Sequence, residues 1–303
     1  MAVTDNEWYR YLAGLNPDEV NFWRPSGRSF GAIETGAPFL FKLHSPLDYI
    51  VGGGFFVRSE QLPLSLAWDA FGQKNGAASL PELRRLILTH RSGTETNPQI
   101  GCIILNEPCF FPEDRWIPVP ADWHANIVTG KTYDASTVIG RKLWDLAAPL
   151  LMARSVREAG EPFPVSELPS GYGKEYLARA RLGQGAFRVL VTEAYQRRCS
   201  ITGEKTLPVL EASHIKPFSE SGPNRIDNGL LLRSDLHILF DSGYLTITPK
   251  YRVEVSRRIK DEFENGREYY PLHGQRLQIL PDATEERPSR NFIDWHNEKV
   301  FVG

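Results

Sequence analysis

The chain has 303 residues and a formal net charge of −2, with 41% hydrophobic and 24% charged residues. This composition is typical of a soluble globular protein and argues against an intrinsically disordered chain. The longest apolar run, 146–153, is interrupted by Pro149, so no membrane span is expected. Three cysteines imply no disulfide framework. Because the first residues lack the layout of a signal peptide, a cytoplasmic location is expected.

A change in composition divides the chain into two domains. Residues 155–180 are rich in proline, glycine and serine, which is typical of a linker. We therefore predict an N-terminal domain at 1–154, a linker at 155–180 and a C-terminal domain at 181–303. Residues 181–260 contain 13 Lys and Arg against 8 Asp and Glu. This local excess favours a surface that attracts phosphate groups, although the whole chain is nearly neutral.

The N-terminal domain shows both strand and helix patterns. Residues 39–44 and 49–57 are apolar and aromatic runs separated by Ser-Pro, which predicts paired strands. Residues 80–90 have helical apolar spacing, with Ser79 placed as the N-cap. The remaining predicted elements are a helix at 62–71, a strand at 100–105 and a closing helix at 138–153. Their irregular alternation favours a curved sheet or small barrel with helices over a doubly wound fold.

The C-terminal domain is predicted to begin with a helix at 184–198. Strands are predicted at 209–215 and 229–232, on either side of a loop that passes through Asn224. Ser234 is placed as the N-cap of a following helix. Two further strands are predicted at 244–248 and 252–255.

Three polar residues, His214, Asn228 and His237, stand close together around this loop. Hydrolysis of a phosphodiester needs an activated water and a positive charge that stabilises the crowded phosphate. A histidine of near-neutral pKa suits the general base. Imidazole, carboxylate and amide groups suit a metal ion. The segment therefore supplies the parts of a hydrolytic site.

The order of these residues, with Pro217 after the first histidine, resembles the HNH nuclease motif. The resemblance implies that His214 is the general base, that Asn228 pins the loop and helps to orient the site, and that His237 binds a metal ion. Asp241 lies four residues after His237 and hence on the same helical face. It is interpreted as a metal ligand or a partner of one, with a helix-surface or capping carboxylate as the alternative.

The sequence departs from the family pattern at one ligand position. Many relatives have Asp or His before the general base, where this chain has Ser213. Glu211, two positions earlier, is the alternative donor. The expected cofactor is a divalent metal ion, Mg²⁺ or Mn²⁺, with Zn²⁺ or Ni²⁺ as alternatives. Cys199 is not followed by a second cysteine, so the Cys-x-x-Cys pairs that hold a structural zinc are missing. No structural zinc is therefore expected.

The resemblance covers 181–303 and extends to a bacterial subgroup of restriction endonucleases. The further segments that resemble this subgroup are Phe240-Asp241-Ser242-Gly243, Leu272-His273-Gly274 and Trp295-His296. We interpret His273 and the Trp295-His296 pair as packing elements rather than metal ligands.

In the N-terminal domain, residues 36–44 and 49–57 resemble the core strand pair of PUA-like domains, a superfamily that includes the EVE, ASCH and SRA groups. The resemblance implies a small barrel that receives a base swung out of the duplex. Such a pocket needs aromatic walls and polar groups for the base edge, and for each aromatic residue core packing is the alternative. The candidate pocket residues are Trp23, Trp68, Trp116 and Tyr133 with Asp69 and Asp134, and Phe30 and Trp123 are further aromatic candidates.

The sequence thus predicts an α+β protein with an N-terminal PUA-like β-barrel with helices and a C-terminal HNH ββα-metal nuclease domain. The predicted function is a modification-dependent DNA restriction endonuclease that reads a modified cytosine in double-stranded DNA. No membrane partner is expected, and a homodimer would allow cleavage of both strands. Two alternatives stay open: an HNH nuclease guided by ordinary sequence, and a nucleic-acid-binding protein whose HNH fold no longer cuts.

Overall fold

The computed structural model describes residues 1–26, 33–91, 95–159 and 182–303, with 154–159 described as backbone only. The chain forms two compact units, Met1–Ala180 and Arg181–Gly303. Both units combine helices with sheets, so the predicted α+β class is confirmed. The last helix of the first unit runs to Ala159, past the predicted start of the linker. Residues 160–180 of that linker, like Phe30, lie outside the described residues.

The first unit is built on one sheet of six strands. The order is β1-β3-β4-β5-β2, and β6 pairs with β4. β1 runs parallel to β3, and the other pairings are antiparallel. The strands are β1 (Ala2–Thr4), β2 (Glu19–Arg24), β3 (Pro38–Leu43), β4 (Tyr49–Pro63), β5 (Gln99–Phe110) and β6 (Ile117–Pro118). The pair predicted at 39–44 and 49–57 is therefore present.

Local features of β4 curl this sheet into a half-barrel. The pairing of β4 with β5 shifts register twice, around Gly53 and around Phe56, and such bulges bend a strand. A Cβ at Gly52 would lie 2.3 Å from the Cys109 carbonyl oxygen, so β5 crosses β4 more closely than a side chain allows. Among the described residues the two edge strands, β1 and β2, do not pair with each other.

Apolar side chains alternate between the two faces of the sheet, as the period of a strand requires. On β3, Phe39 and Phe41 pack into one core with helix α1, whereas Leu40 packs into a second core with helix α4. The helices are α1 (Asn6–Leu15), α2 (Leu64–Phe71), α3 (Leu80–Thr89) and α4 (Val138–Ala159). Ser79 caps α3 as predicted, since its side chain accepts a hydrogen bond from the Glu82 amide. Across the described residues, every helix is too short or too polar to cross a bilayer.

The second unit contains two antiparallel strand pairs surrounded by helices. Strand β7 (Leu210–His214) pairs with β8 (Gly229–Arg233), and β9 (Leu245–Ile247) pairs with β10 (Val253–Val255). Its core joins Phe187 and Tyr195 to the leucines of β8 and to Phe240 and Ile293. The helices are α5 (Gln184–Ala194), α6 (Ser234–Asp241), α7 (Arg258–Phe263) and α8 (Arg290–Lys299).

Two predicted boundaries in this unit were wrong. Helix α5 ends at Ala194 rather than at 198, because Gln196 and Arg197 adopt positive φ angles of 55° and 56°. Ser234 is not the N-cap of α6. It is the first helical residue, and its hydroxyl donates instead to the carbonyl oxygen of Val209, 3.0 Å away.

A buried histidine of helix α8 packs against α6. His296 is 2% exposed, its ring stacks on Phe240 at 3.8 Å, and its Nε2 donates to the Phe240 carbonyl oxygen at 3.1 Å. Burial lowers the pKa of His296 to about 4, so the ring is neutral at pH 7. These contacts give His296 a packing role and hold the helix that carries His237.

Candidate active site

A hairpin and the helix that follows it place the motif residues. β7 ends at His214, which lies opposite Gly229 at the start of β8. Helix α6 begins directly after β8 and packs against both strands, so it carries His237 back over the hairpin. A Cβ at Gly229 would lie 2.5 Å from a methyl group of Val191 on α5, so a glycine is needed at this crossing. The result is the strand, loop, strand, helix order predicted for a ββα site.

Asn228 closes the loop between the two strands. Its side chain is fully buried, and its Oδ1 accepts a hydrogen bond from the Lys216 amide at 2.9 Å. Its Nδ2 donates to the carbonyl oxygens of Lys216 and Pro223, each at 2.9 Å. The Asn228 backbone carbonyl also accepts from the Ile215 amide at 2.9 Å. Asn228 therefore makes its contacts with the loop backbone and determines the loop's shape.

His214 is held at its edge and on its face. Its Nε2 lies 2.8 Å from Oδ1 of Asn224, and its ring stacks on Phe187 with centroids 3.9 Å apart. Burial lowers the pKa of His214, although the Asn224 hydrogen bond and the charge of Asp241 act in the opposite direction. A neutral imidazole at pH 7 is the protonation state that a general base needs.

His237 lies between two carboxylates. Its Nδ1 is 2.5 Å from Oε2 of Glu211, and its Nε2 is 3.2 Å from Oδ2 of Asp241. Carboxylate oxygens only accept hydrogen bonds, so both ring nitrogens find a partner when the ring is protonated. Burial lowers the pKa of His237, but the bonds to Asp241 and Glu211 outweigh it and raise the pKa overall. This interaction stabilises the fold below the unfolded pKa of about 6.5, and the contribution is lost as pH rises through the folded pKa.

On β7, Glu211 rather than Ser213 forms the hydrogen bond to His237. Ser213 is fully buried, and its Oγ has no hydrogen-bond partner in the described part of the chain. The Glu211 side chain is 42% exposed where it meets His237. Glu211 therefore places a carboxylate beside His237, three residues before His214, and its role as a metal ligand stays a prediction.

The residues around His237 suit a divalent cation in their chemistry. Over residues 1–26, 33–91, 95–159 and 182–303, no three His, Cys, Asp or Glu side chains form a metal-binding group. Glu211 and Asp241 nevertheless each bring a carboxylate to one nitrogen of the imidazole, and imidazole nitrogens and carboxylate oxygens are donors that divalent cations accept. Because the carboxylates lie at different ring nitrogens, a cation would be held by His237 with one of them and would replace the hydrogen bond there.

In the first unit, the structure shows a cavity of about 430 Å³ that includes Trp23. The Trp23 indole N–H is bonded to the Asn75 carbonyl oxygen at 2.9 Å, which fixes the ring. Phe22 and Phe39 add aromatic walls, and Arg24 and His44 add polar groups. Phe22, Trp23 and Arg24 lie on β2, Phe39 lies on β3, and His44 directly follows β3.

The other five predicted pocket residues do not line this cavity. On α2, Trp68 is half-buried and Asp69 is exposed. Trp116 packs against Tyr9 and Tyr49 in the core of the unit. The Tyr133 hydroxyl donates to Asp122 at 3.1 Å, and the Asp134 carboxylate accepts from the Ser136 amide at 2.8 Å. As base-pocket residues, these five remain predictions.

The sequence did not assign Asn224 or Phe187, which contact the His214 ring, to the site. Asn224 stands in a Ser-Gly-Pro-Asn stretch, where asparagine is an ordinary turn former. Phe187 belongs to the apolar face of α5 and cannot be told from any other core residue by its spacing. Only the fold brings both to the histidine.

Comparison with known proteins agrees with the class of site that this geometry defines. Residues 199–248 match the family model described as HNH endonuclease. The chain therefore carries an HNH endonuclease domain, and the predicted assignment to the nucleases is confirmed. None of the curated proteins matches the chain.

Two solved structures are similar at low identity. The crystal structure of ASCH from Zymomonas mobilis is 15% identical, covers 48% of this chain and 94% of its own, and has a TM-score of 0.34. The modification dependent TagI restriction endonuclease is 13% identical over 93% of this chain and 75% of its own, with a TM-score of 0.28.

Glu211→Gln and Asp241→Asn are each expected to lower the pKa of His237. Each change removes an anionic acceptor from one ring nitrogen, so the protonated ring loses part of its stabilisation. NMR titration of the His237 ring in the metal-free protein measures the shift. The matched control is Asp261→Asn, which makes the same kind of change at an exposed position on α7. It should leave the pKa of His237 unchanged. An unchanged pKa in both site variants would contradict the bridging arrangement.

Proposed function

We propose that the chain is a metal-dependent DNA endonuclease whose cutting is directed by a modified base. The observation that carries the nuclease assignment is the pairing of two unlike histidines on one hairpin-helix unit. His214 has a lowered pKa and is neutral, whereas His237 lies between Glu211 and Asp241 and has a raised pKa. Titratable groups whose environments push their pKa values apart are typical of acid-base sites.

His214 is the proposed catalytic base. With its ring held by Asn224 and Phe187, it takes a proton from the water that attacks the phosphate. His237 with Glu211 or Asp241 is the proposed ligand set. A divalent metal ion, when bound there, supplies the positive charge that stabilises the developing charge on the phosphate. Asn228 holds the loop and so keeps His214 in place.

The cavity of the first unit is the proposed site for the modified base. Its volume of about 430 Å³ lies within the range of roughly 300–1,000 Å³ found for small-molecule sites. Phe22, Trp23 and Phe39 offer aromatic walls for a flipped base, and Arg24 and His44 offer polar groups for its edge. The proposed substrate is therefore double-stranded DNA with a modified cytosine.

His214→Ala is expected to slow cleavage of duplex DNA in Mg²⁺ or Mn²⁺ by about 10²- to 10⁴-fold, the usual contribution of a general base. Gel-based nicking measures it, with a chelator added to show that the wild-type reaction needs the metal. His124→Ala, which removes an exposed histidine of the first unit, is the matched control. Equal cleavage by His214→Ala and His124→Ala would contradict the role of His214. A wild-type protein that binds DNA without cutting it would support the alternative of a non-cutting protein.

Trp23→Ala is expected to reduce the preference for 5-methylcytosine or 5-hydroxymethylcytosine duplexes over unmodified DNA by about 10-fold or more, because base stacking on an aromatic ring contributes roughly 1–3 kcal/mol. Competition binding measures the preference. Trp144→Ala removes a half-buried tryptophan of α4 outside the cavity and should leave the preference unchanged, whereas Trp23→Phe should restore part of it. If wild-type protein binds and cuts modified and unmodified duplexes equally, modification dependence is excluded and the sequence-guided alternative is favoured.

A further inference from the structure

We propose that Asn224 is a positioning residue that fixes the tautomer of the general base. Its amide oxygen holds the proton of His214 on Nε2 and leaves Nδ1 as the atom that accepts a proton from water. This inference rests on the proposed role of His214 and adds a residue that is not one of the motif residues His214, Asn228 and His237.

The orientation of the Asn224 amide follows from its second partner. Its amide nitrogen lies 2.5 Å from the carbonyl oxygen of Leu182, and a carbonyl oxygen can only accept a hydrogen bond. The nitrogen must therefore face Leu182, and Oδ1 must face His214 at 2.8 Å. Since Asn224 is only 9% exposed, water does not readily replace either partner.

This orientation assigns the proton on the imidazole. An amide oxygen also only accepts, so the hydrogen between Asn224 and His214 belongs to Nε2 of the histidine. Because the lowered pKa keeps the ring neutral, it carries only this one hydrogen. Nδ1 is then the basic nitrogen, and it has no hydrogen-bond partner within the described part of the chain.

The acceptor is itself anchored to the loop. Asn228 donates to the carbonyl oxygen of Pro223, the residue before Asn224, at 2.9 Å. Phe187 covers one face of the His214 ring with an interplanar angle of 13°. The edge contact from Asn224 and the face contact from Phe187 together restrict rotation of the ring, so Nδ1 keeps one direction.

Two substitutions separate the acceptor role from a structural role. Asn224→Asp keeps an oxygen acceptor for the Nε2 proton but loses the donor to Leu182. Asn224→Ala loses both. If the acceptor positions the base, Asn224→Asp retains most of kcat, whereas Asn224→Ala lowers kcat by about 10-fold or more with little change in KM. Equal impairment of both variants would overturn the proposal, because the bond to Leu182 would then be the one that matters.

The tautomer can be observed without metal or DNA. ¹⁵N NMR of the wild-type protein at pH 8 should show His214 protonated on Nε2, and Asn224→Asp should preserve this signature. Asn224→Ala should move both ring nitrogens towards values averaged over the two tautomers. A wild-type His214 protonated on Nδ1 would overturn the proposal even if a variant failed to fold. If the tautomer is as expected but His214→Ala cuts normally, the failure lies in the proposed function instead.

Discussion

The arrangement of the active site depends on the buried side chain of Asn228. One amide satisfies both polar backbone groups of Lys216 and the carbonyl of Pro223. The Pro223 carbonyl also accepts from the Arg225 amide, but the two Lys216 groups lie in a loop with no sheet partner. A buried polar group left unpaired costs about 1–3 kcal/mol. By closing the loop at both ends, Asn228 keeps His214 opposite Gly229 and brings Asn224 to the edge of the imidazole.

The two histidines of the site differ because their neighbours differ. His214 meets a neutral amide and an aromatic face, so burial dominates and lowers its pKa. His237 is buried to a similar degree, but Glu211 and Asp241 favour its charged form and raise its pKa. A proton and a metal ion would compete for the same nitrogen of His237. The same hairpin and helix therefore hold two imidazoles whose pKa values shift in opposite directions.

Sequence patterns predicted the elements that depend on local spacing. The order of His214, Asn228 and His237 predicted the hairpin and helix, and the aromatic runs predicted β3 and β4. Contacts between distant segments could not be predicted in the same way. The parallel pairing of β1 with β3, the missed helix α8 and the cavity around Trp23 depend on how the elements pack. Ser234 has the sequence of an N-cap, yet its hydroxyl bonds to Val209 in the loop before β7.

The role of Asn228 is tested most directly by the stability of the β7–β8 hairpin in an Asn228→Ala variant. Native-state hydrogen exchange of the β7 and β8 amides measures the free energy of unfolding of the second unit. Asn265→Ala is the matched control, since Asn265 is exposed and its side chain accepts one hydrogen bond, from the Arg267 amide. We expect Asn228→Ala to lower the free energy of unfolding by about 3 kcal/mol, at about 1 kcal/mol for each of its three hydrogen bonds, and the control to lower it by less than about 1 kcal/mol. An equal effect of the two substitutions would contradict the dependence of the site on Asn228.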